Sequence, residues 1–185
     1  MARVFVITGP SGVGKGTLIR TLLERVPELE LAVSATTRKP RPGERDGVDY
    51  HFLTDAEFDG RVLAGDFVEH ASYAGRRYGT LRSELERRLA RGAPVVLEIE
   101  VQGARQVREA MPEAVQVFIA PPSEEALRAR LVGRGTDEPD EVEARLATAR
   151  EELRAQGEFA HVIVNDRLEE AVGTLEALVR SAASM

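Results

Sequence analysis

The chain has 185 residues, 43% apolar and 30% charged, which is enough for one globular domain whose core needs neither disulfide nor structural metal. It has no cysteine, which excludes disulfides, thiolate metal sites and cysteine nucleophiles, and its net charge of −6 argues against a general binder of nucleic acid or membrane surfaces. No apolar run approaches the roughly 20 residues of a membrane span, and the run at the start is too short for a signal peptide, so neither a membrane nor a nucleic acid is expected as partner and the expected location is the cytoplasm.

The first predicted element is a strand, Val4–Thr8. A glycine-rich loop follows, and then a helix with the apolar stripe Leu18, Leu22 and Leu23. A second strand is predicted over Leu31–Ala35. Residues 34–80 are rich in Gly, Pro, Tyr and Arg, with alternating segments such as Phe67–Tyr73, and read as a small β-rich flap. Leu81, Leu85 and Leu89 predict a helix before Gly92, and Pro94–Ile99 and Val115–Ala120 predict further strands. Residues 133–150, opening with Gly133, Arg134 and Gly135, read as a hinge and lid. Val142, Leu146 and Leu153 mark a long charged helix with Pro139 in its first turn. His161–Val164 is the last strand, and Leu168, Val172, Leu175 and Leu178 the last helix, with Asp166 and Glu169 spaced like a capping box. The strand runs are continuous rather than alternating, as in a parallel sheet buried on both faces, and strand–helix alternation predicts an α/β sandwich.

The loop Gly9-Pro10-Ser11-Gly12-Val13-Gly14-Lys15-Gly16-Thr17 stands between a predicted strand and a predicted helix. Glycines let the backbone wrap closely so that successive N–H groups point at phosphate oxygens, the helix start adds its positive dipole end, and Lys15 adds a full charge. Of 25 basic residues only Lys15 and Lys39 are lysines, so a lysine at this position stands out. The loop predicts binding of a nucleoside triphosphate through all nine residues. Where the usual motif has Ser or Thr after the lysine to ligate magnesium, this chain has Gly16, with Thr17 next. The ion is left either to Thr17 or to water and the nucleotide.

A second site is written into Ser34-Ala35-Thr36-Thr37-Arg38-Lys39-Pro40-Arg41-Pro42-Gly43-Glu44, followed by Gly47-Val48-Asp49-Tyr50-His51-Phe52. Arg38 and Arg41 lie three apart on a segment stiffened by Pro40 and Pro42, so two guanidinium groups can converge on one phosphate, with Tyr50 and Tyr78 as hydroxyl donors. This stretch resembles the signature of the guanylate kinases. Glu69, Tyr73–Thr80, Glu98–Gly103, Ala120–Ser123 and Val162–Asp166 also fall in that family's order, so the resemblance covers residues 3–180. Segments of the switch-GTPase type, Asn-Lys-x-Asp and Asp-x-x-Gly, are absent from the sequence.

The resemblance implies a P-loop nucleoside monophosphate kinase-like three-layer sandwich: a central parallel sheet with a small GMP-binding β-rich insertion and a helical lid. The single domain over 1–185 would divide into a core (1–33, 84–120 and 157–185), a GMP-binding region (34–83) and a lid region (121–156). The implied activity is ATP-dependent phosphorylation of GMP or dGMP to GDP, in purine nucleotide metabolism, with Mg2+ accompanying ATP. ATP and GMP are the expected partners, and monomer and homo-oligomer stay open.

The resemblance makes Glu69 the reader of guanine, whose N1–H and amino group a carboxylate can accept side by side. The sequence pattern alone favours a surface glutamate on a strand, and the resemblance reverses that reading. Ser34 and Thr80 offer hydroxyls toward the base, and Glu100 joins the GMP set. Glu98 ends a buried strand where it could orient magnesium waters; guanylate kinases usually carry aspartates at these two positions. Arg134 and Arg145 are the expected catalytic arginines of the lid, beside Lys15 and Arg38, because phosphoryl transfer spreads negative charge over oxygens that mobile arginines can meet. Arg130 and Asn165 are expected on the ATP side, whereas Arg128 and Arg150 read as surface ion-pair partners. His51, His70 and His161 share no ligand-like spacing. The rivals are a non-catalytic guanylate-kinase-like binding module and a kinase for AMP or a pyrimidine monophosphate.

Overall fold

The computed structural model describes residues 4–73, 75–132 and 139–183. Five strands form a parallel sheet: β1 (Val4–Thr8), β2 (Glu30–Leu31), β7 (Val95–Glu98), β8 (Val115–Ala120) and β9 (His161–Val164), in the order β2-β7-β1-β8-β9. Continuous apolar runs give each strand two buried faces. Phe5, Ile7, Val96, Val117 and Ile119 pack under α1 (Lys15–Arg25) and α7 (Leu168–Ala183). Val4, Val6, Val95, Leu97 and Phe118 pack on the opposite side against α3 (Arg82–Leu89), α4 (Val101–Ala110) and Phe159. That is the expected three-layer sandwich, and the strand order reverses about β1, so the loop leaving β1 opens where α/β sheets bind ligands.

A second sheet, in the order β4-β3-β6-β5, is built from β3 (Ala35–Thr36), β4 (His51–Phe52), β5 (Phe67–Tyr73) and β6 (Arg76–Leu81). Helix α2 (Asp55–Leu63) packs Phe58 against Phe67 beneath it, in a small core with Ala35 and Leu81. A register shift between Phe67 and Glu69 sets Glu69 directly opposite Thr80. Edge strand β5 is tied to α4 by Gln106, whose side chain accepts the His70 N–H at 3.1 Å and donates to the His70 carbonyl at 2.7 Å. Helices α5 (Glu124–Val132) and α6 (Pro139–Arg154) pair through Leu127, Leu131, Val142, Leu146 and Ala149.

Several sequence expectations change. The strand expected over Leu31–Ala35 divides between the sheets: Leu31 pairs with Val96 in the large sheet, and Ala35 with Gly79 in the small one. Where the chain crosses, the Val33 N–H is taken by the Glu84 carboxylate at 3.2 Å. Leu81 ends β6 and the helix begins at Arg82. The capping box falls at α2 rather than α7: Thr54 Oγ1 accepts the Glu57 N–H while the Glu57 carboxylate accepts the Thr54 N–H. Asp166 lies one residue before the α7 cap position, since Ala171 N–H bonds the Arg167 carbonyl. Helices α2, α4 and α5 were not expected. Arg134, with Gly133 and Gly135 of the expected hinge, lies outside the described residues.

Candidate active site

The loop Gly9–Thr17 joins β1 to α1. A side chain at Gly9 would bring its Cβ closer than 3.0 Å to the Ile119 carbonyl oxygen of the neighbouring strand, so the loop can leave the sheet here only as glycine. Gly14 caps α1 in the left-handed region, φ 94°, and no side chain caps the helix, so the first-turn amides face the mouth of the loop. The Val13 carbonyl is held from below: Asn165 Nδ2 donates at 2.8 Å and Arg130 Nη1 at 3.3 Å, while Arg130 Nη2 donates to the Asn165 carbonyl at 2.8 Å. Arg130 and Asn165, expected on the ATP, therefore turn these groups to the loop's own backbone. Lys15 Nζ donates to the Gly9 and Pro10 carbonyls. Burial pulls its pKa below the ordinary value, against the opposing field of Glu98, Glu152 and Glu100.

Two cavities meet at this loop. One, of about 420 Å³, lies over Gly14–Thr17 and reaches Arg20 and Glu98. The other, of about 360 Å³, runs from Ser11 and Lys15 across Glu98 and Glu100 to Ser34, Tyr50, Tyr78 and Glu69. Ser11, Lys15 and Glu98 border both. A long ligand in each would thus bring their ends together at Lys15.

Glu69 forms the deep end of the second cavity, 2% exposed. Thr80 Oγ1 donates to its Oε1 at 2.7 Å, and Gly103 at the start of α4 leaves room for Oε2, which a Cβ there would overlap. Burial raises its pKa to about 7 despite the Thr80 bonds, and nearby Glu100 adds to the rise. Near the cavity's outer wall, Arg38 pairs with Glu44 at 2.8 Å and lies over the Tyr50 ring at 5.1 Å, whose edge meets Tyr78. The Glu44 carboxylate also accepts the Arg41 N–H at 2.7 Å. Glu44 thus fixes the segment carrying both arginines, and Arg41 is exposed. Arg145 reaches over from α6 to donate to Ser11 Oγ at 2.9 Å. The expected surface pairs form on the exposed sides of α5 and α6, Arg128 with Glu143 and Arg150 with Glu124.

The guanylate kinase family profile matches residues 1–182. The chain belongs to the guanylate kinase family. It is 56% identical over 174 residues to the guanylate kinase of Synechococcus sp. (strain CC9902), covering 94% of this chain and 93% of the relative. It is also 56% identical over 174 residues to that of Frankia casuarinae, covering 94% and 95%. The crystal structure of guanylate kinase from Anaplasma phagocytophilum superposes on it with a TM-score of 0.81 at 33% identity, covering 100% of this chain and 87% of that one.

Guanylate kinases are ATP:GMP phosphotransferases that use ATP with a divalent metal ion, and the side chains of this member suit such an ion. Glu98 is half-buried between the two cavities, and burial lifts its pKa above the usual carboxylate range, with Lys15 pulling it back. A cation beside it would relieve that cost. Thr17 presents a hydroxyl to the same cavity. Among the described residues no cluster of three or more His, Asp or Glu side chains makes a metal cage.

Four residues of this site are given no role by the sequence: Glu44, Tyr73 and Gly103, which stand only inside motif segments, and Glu152. Glu44 was quoted only as part of a motif, yet it sits at hydrogen-bonding distance from both arginine residues. Gly103 has an ordinary helical position and signals nothing until β5 lies against it. Tyr73 and Glu152 come from elements far apart in sequence that come together beside Ser11.

Proposed function

We propose that the loop Gly9–Thr17 holds the phosphates of ATP and that the cavity ending at Glu69 holds GMP, so that the acceptor phosphate meets the γ-phosphate above Lys15. The observation that carries this reading is the continuity of the two cavities at Ser11, Lys15 and Glu98, with a buried carboxylate at the far end of one.

Ionised Glu69 accepts from guanine N1–H and the 2-amino group, with Thr80 holding the carboxylate and the Ser34 hydroxyl within reach of the base. Arg38 and Arg41 take the GMP phosphate with the Tyr50 and Tyr78 hydroxyls. Glu100, lining the same cavity, completes the nucleoside's surroundings. An anionic oxygen of GMP then attacks the γ-phosphorus in line. The new O–P bond gives GDP, and the bond from phosphorus to the β–γ bridging oxygen breaks to release ADP. The nucleophile is already ionised, so no general base is required. Lys15 and Arg145 meet the charge on the transferred group, Arg134 is proposed to join them, and Arg38 steadies the acceptor. Magnesium, held through Glu98, Thr17 and water, would neutralise charge on the β and γ oxygens.

The core, the acceptor region 34–83 and the lid 121–156 are proposed as the three working parts, with closure excluding water that would otherwise hydrolyse ATP. Two freely diffusing nucleotide substrates support a cytoplasmic place of work. An ADP-release assay across nucleoside monophosphates, with and without magnesium, tests the reading. GMP should be the preferred acceptor by a wide margin and turnover should need the metal; equal use of AMP would overturn the assignment of Glu69.

A further inference from the structure

Ser11 is contacted by all three parts of the molecule. Its hydroxyl accepts from Arg145 of α6 at 2.9 Å, and the Tyr73 hydroxyl of β5 lies beside it. Its N–H, one of the loop amides that should face phosphate, points at Glu152 Oε2 at 3.4 Å. Arg145 and Glu152 are seven residues apart on α6, about two turns, so they present one face of the helix to the loop. The Glu152 carboxylate is half-buried, and its charge is felt by Lys15 second only to that of Glu98. An anion has thus settled where the loop's cationic groups converge, and it belongs to the protein.

We propose that Glu152 is an internal occupant of the phosphate loop: without nucleotide its carboxylate takes the Ser11 N–H and part of the Lys15 field, and ATP must displace it to bind. The inference rests on the reading of Gly9–Thr17 as the ATP site. Phosphate and carboxylate cannot share the Ser11 amide, and their like charges repel at this range in a partly desolvated site. The displaced side chain has a destination. Glu152 also borders a cavity of about 340 Å³ between β5, α4 and α6, whose polar walls include Gln102, Arg105 and Thr148. ATP arrival would then free Glu152 while leaving Arg145, the cation on the same face, to meet the γ-phosphate. Glu152 is in this sense a positioning residue that reports loop occupancy to the lid helix.

The test is isothermal titration of the full-length protein with inorganic tripolyphosphate and with a non-hydrolysable ATP analogue. Glu152→Gln keeps shape and removes charge, and should tighten both ligands by about five- to tenfold, the scale of one charge-assisted hydrogen bond lost as competitor. Glu152→Asp withdraws the carboxylate by one methylene and should tighten them by a smaller factor. Glu170→Gln, an exposed acid of α7 that borders none of these cavities, should change neither. Unchanged or weaker binding in both Glu152 variants would overturn the proposal and leave Glu152 as a lid anchor. GMP plays no part in this titration, so its result is independent of acceptor choice. Selective GMP turnover with unchanged tripolyphosphate affinity would sink this inference alone.

Discussion

Replacing Glu69 by glutamine separates recognition from stability, because the carboxylate that reads guanine is costly to bury. With an ordinary value of 4.5 and a value of about 7 in the folded protein, the ionised form is penalised by about 3 kcal/mol above pH 7. The folded chain holds this proton between pH 4.5 and 7 and the unfolded chain does not, so the contribution to stability falls as pH rises through that window. Glu69→Gln removes the penalty, and the amide oxygen can still accept from Thr80. At pH 8 the variant should therefore be more stable than the parent by about 1–3 kcal/mol, several degrees in thermal midpoint for a chain of this size. The gain should shrink as pH falls and vanish below about pH 4.5, where the group is protonated in both states.

Function should move the other way. Guanine sets two donors against residue 69, and glutamine offers one acceptor and one donor. A lost charged hydrogen bond together with a buried donor facing a donor costs about 3–4 kcal/mol, or roughly 10²–10³ in kcat/KM for GMP. Adenine presents an acceptor at N1 and a donor at its amino group, which glutamine matches, so AMP should gain. The assay is kcat/KM for GMP and AMP at pH 5.5–8.5, with melting curves at the same pH values. For the parent, GMP affinity should drop about tenfold per pH unit below pH 7 as Glu69 takes up its proton, and the variant should lose this dependence. Unchanged GMP selectivity in Glu69→Gln would refute the reasoning, and so would a variant less stable at pH 8 than the parent.

Two further substitutions bear on the same machinery. Lys15→Ala should lower kcat by about 10³-fold or more while leaving the fold intact, since the Lys15 hydrogen bonds go to loop carbonyls rather than into the core; comparable turnover would remove the loop from the mechanism. Gly103→Ala places a methyl group against Glu69 Oε2 and should raise the KM for GMP about tenfold with little change in the KM for ATP, at a stability cost of about 1–3 kcal/mol. Equal effects on both substrates would show that α4, rather than the carboxylate, had moved.

The phosphate loop was legible because its chemistry is local. Glycines at fixed offsets, a strand before and a helix after leave one backbone path, and the sequence spells all of it. The same holds for the strands whose apolar runs fill both faces of the sheet, and for the paired arginines of Arg38-Lys39-Pro40-Arg41. Helix α2 lies inside the segment rich in Gly and Pro, which hides its Thr54-x-x-Glu57 signal, and α4 carries the Val101, Ala104, Val107 stripe directly after a strand-end pair of acids, with no turn residue to announce its start.

What only the tertiary structure decided concerns residues that have no meaning until distant elements touch. The division of Leu31–Ala35 between two sheets depends on partners more than 40 residues away, Val96 and Gly79. Glu69 is an ordinary alternating strand residue in the sequence. Its burial, its raised pKa and its place opposite Thr80 come from a bulge in β5 and from α4 lying across it with no side chain at Gly103. Glu152 is one acid among many on a charged helix until α6 folds over Ser11. Sequence alone determines chemistry carried by the path of one short segment. Desolvation and field are sums over everything that surrounds a side chain, and for Glu69 and Glu152 those surroundings come from several separate elements.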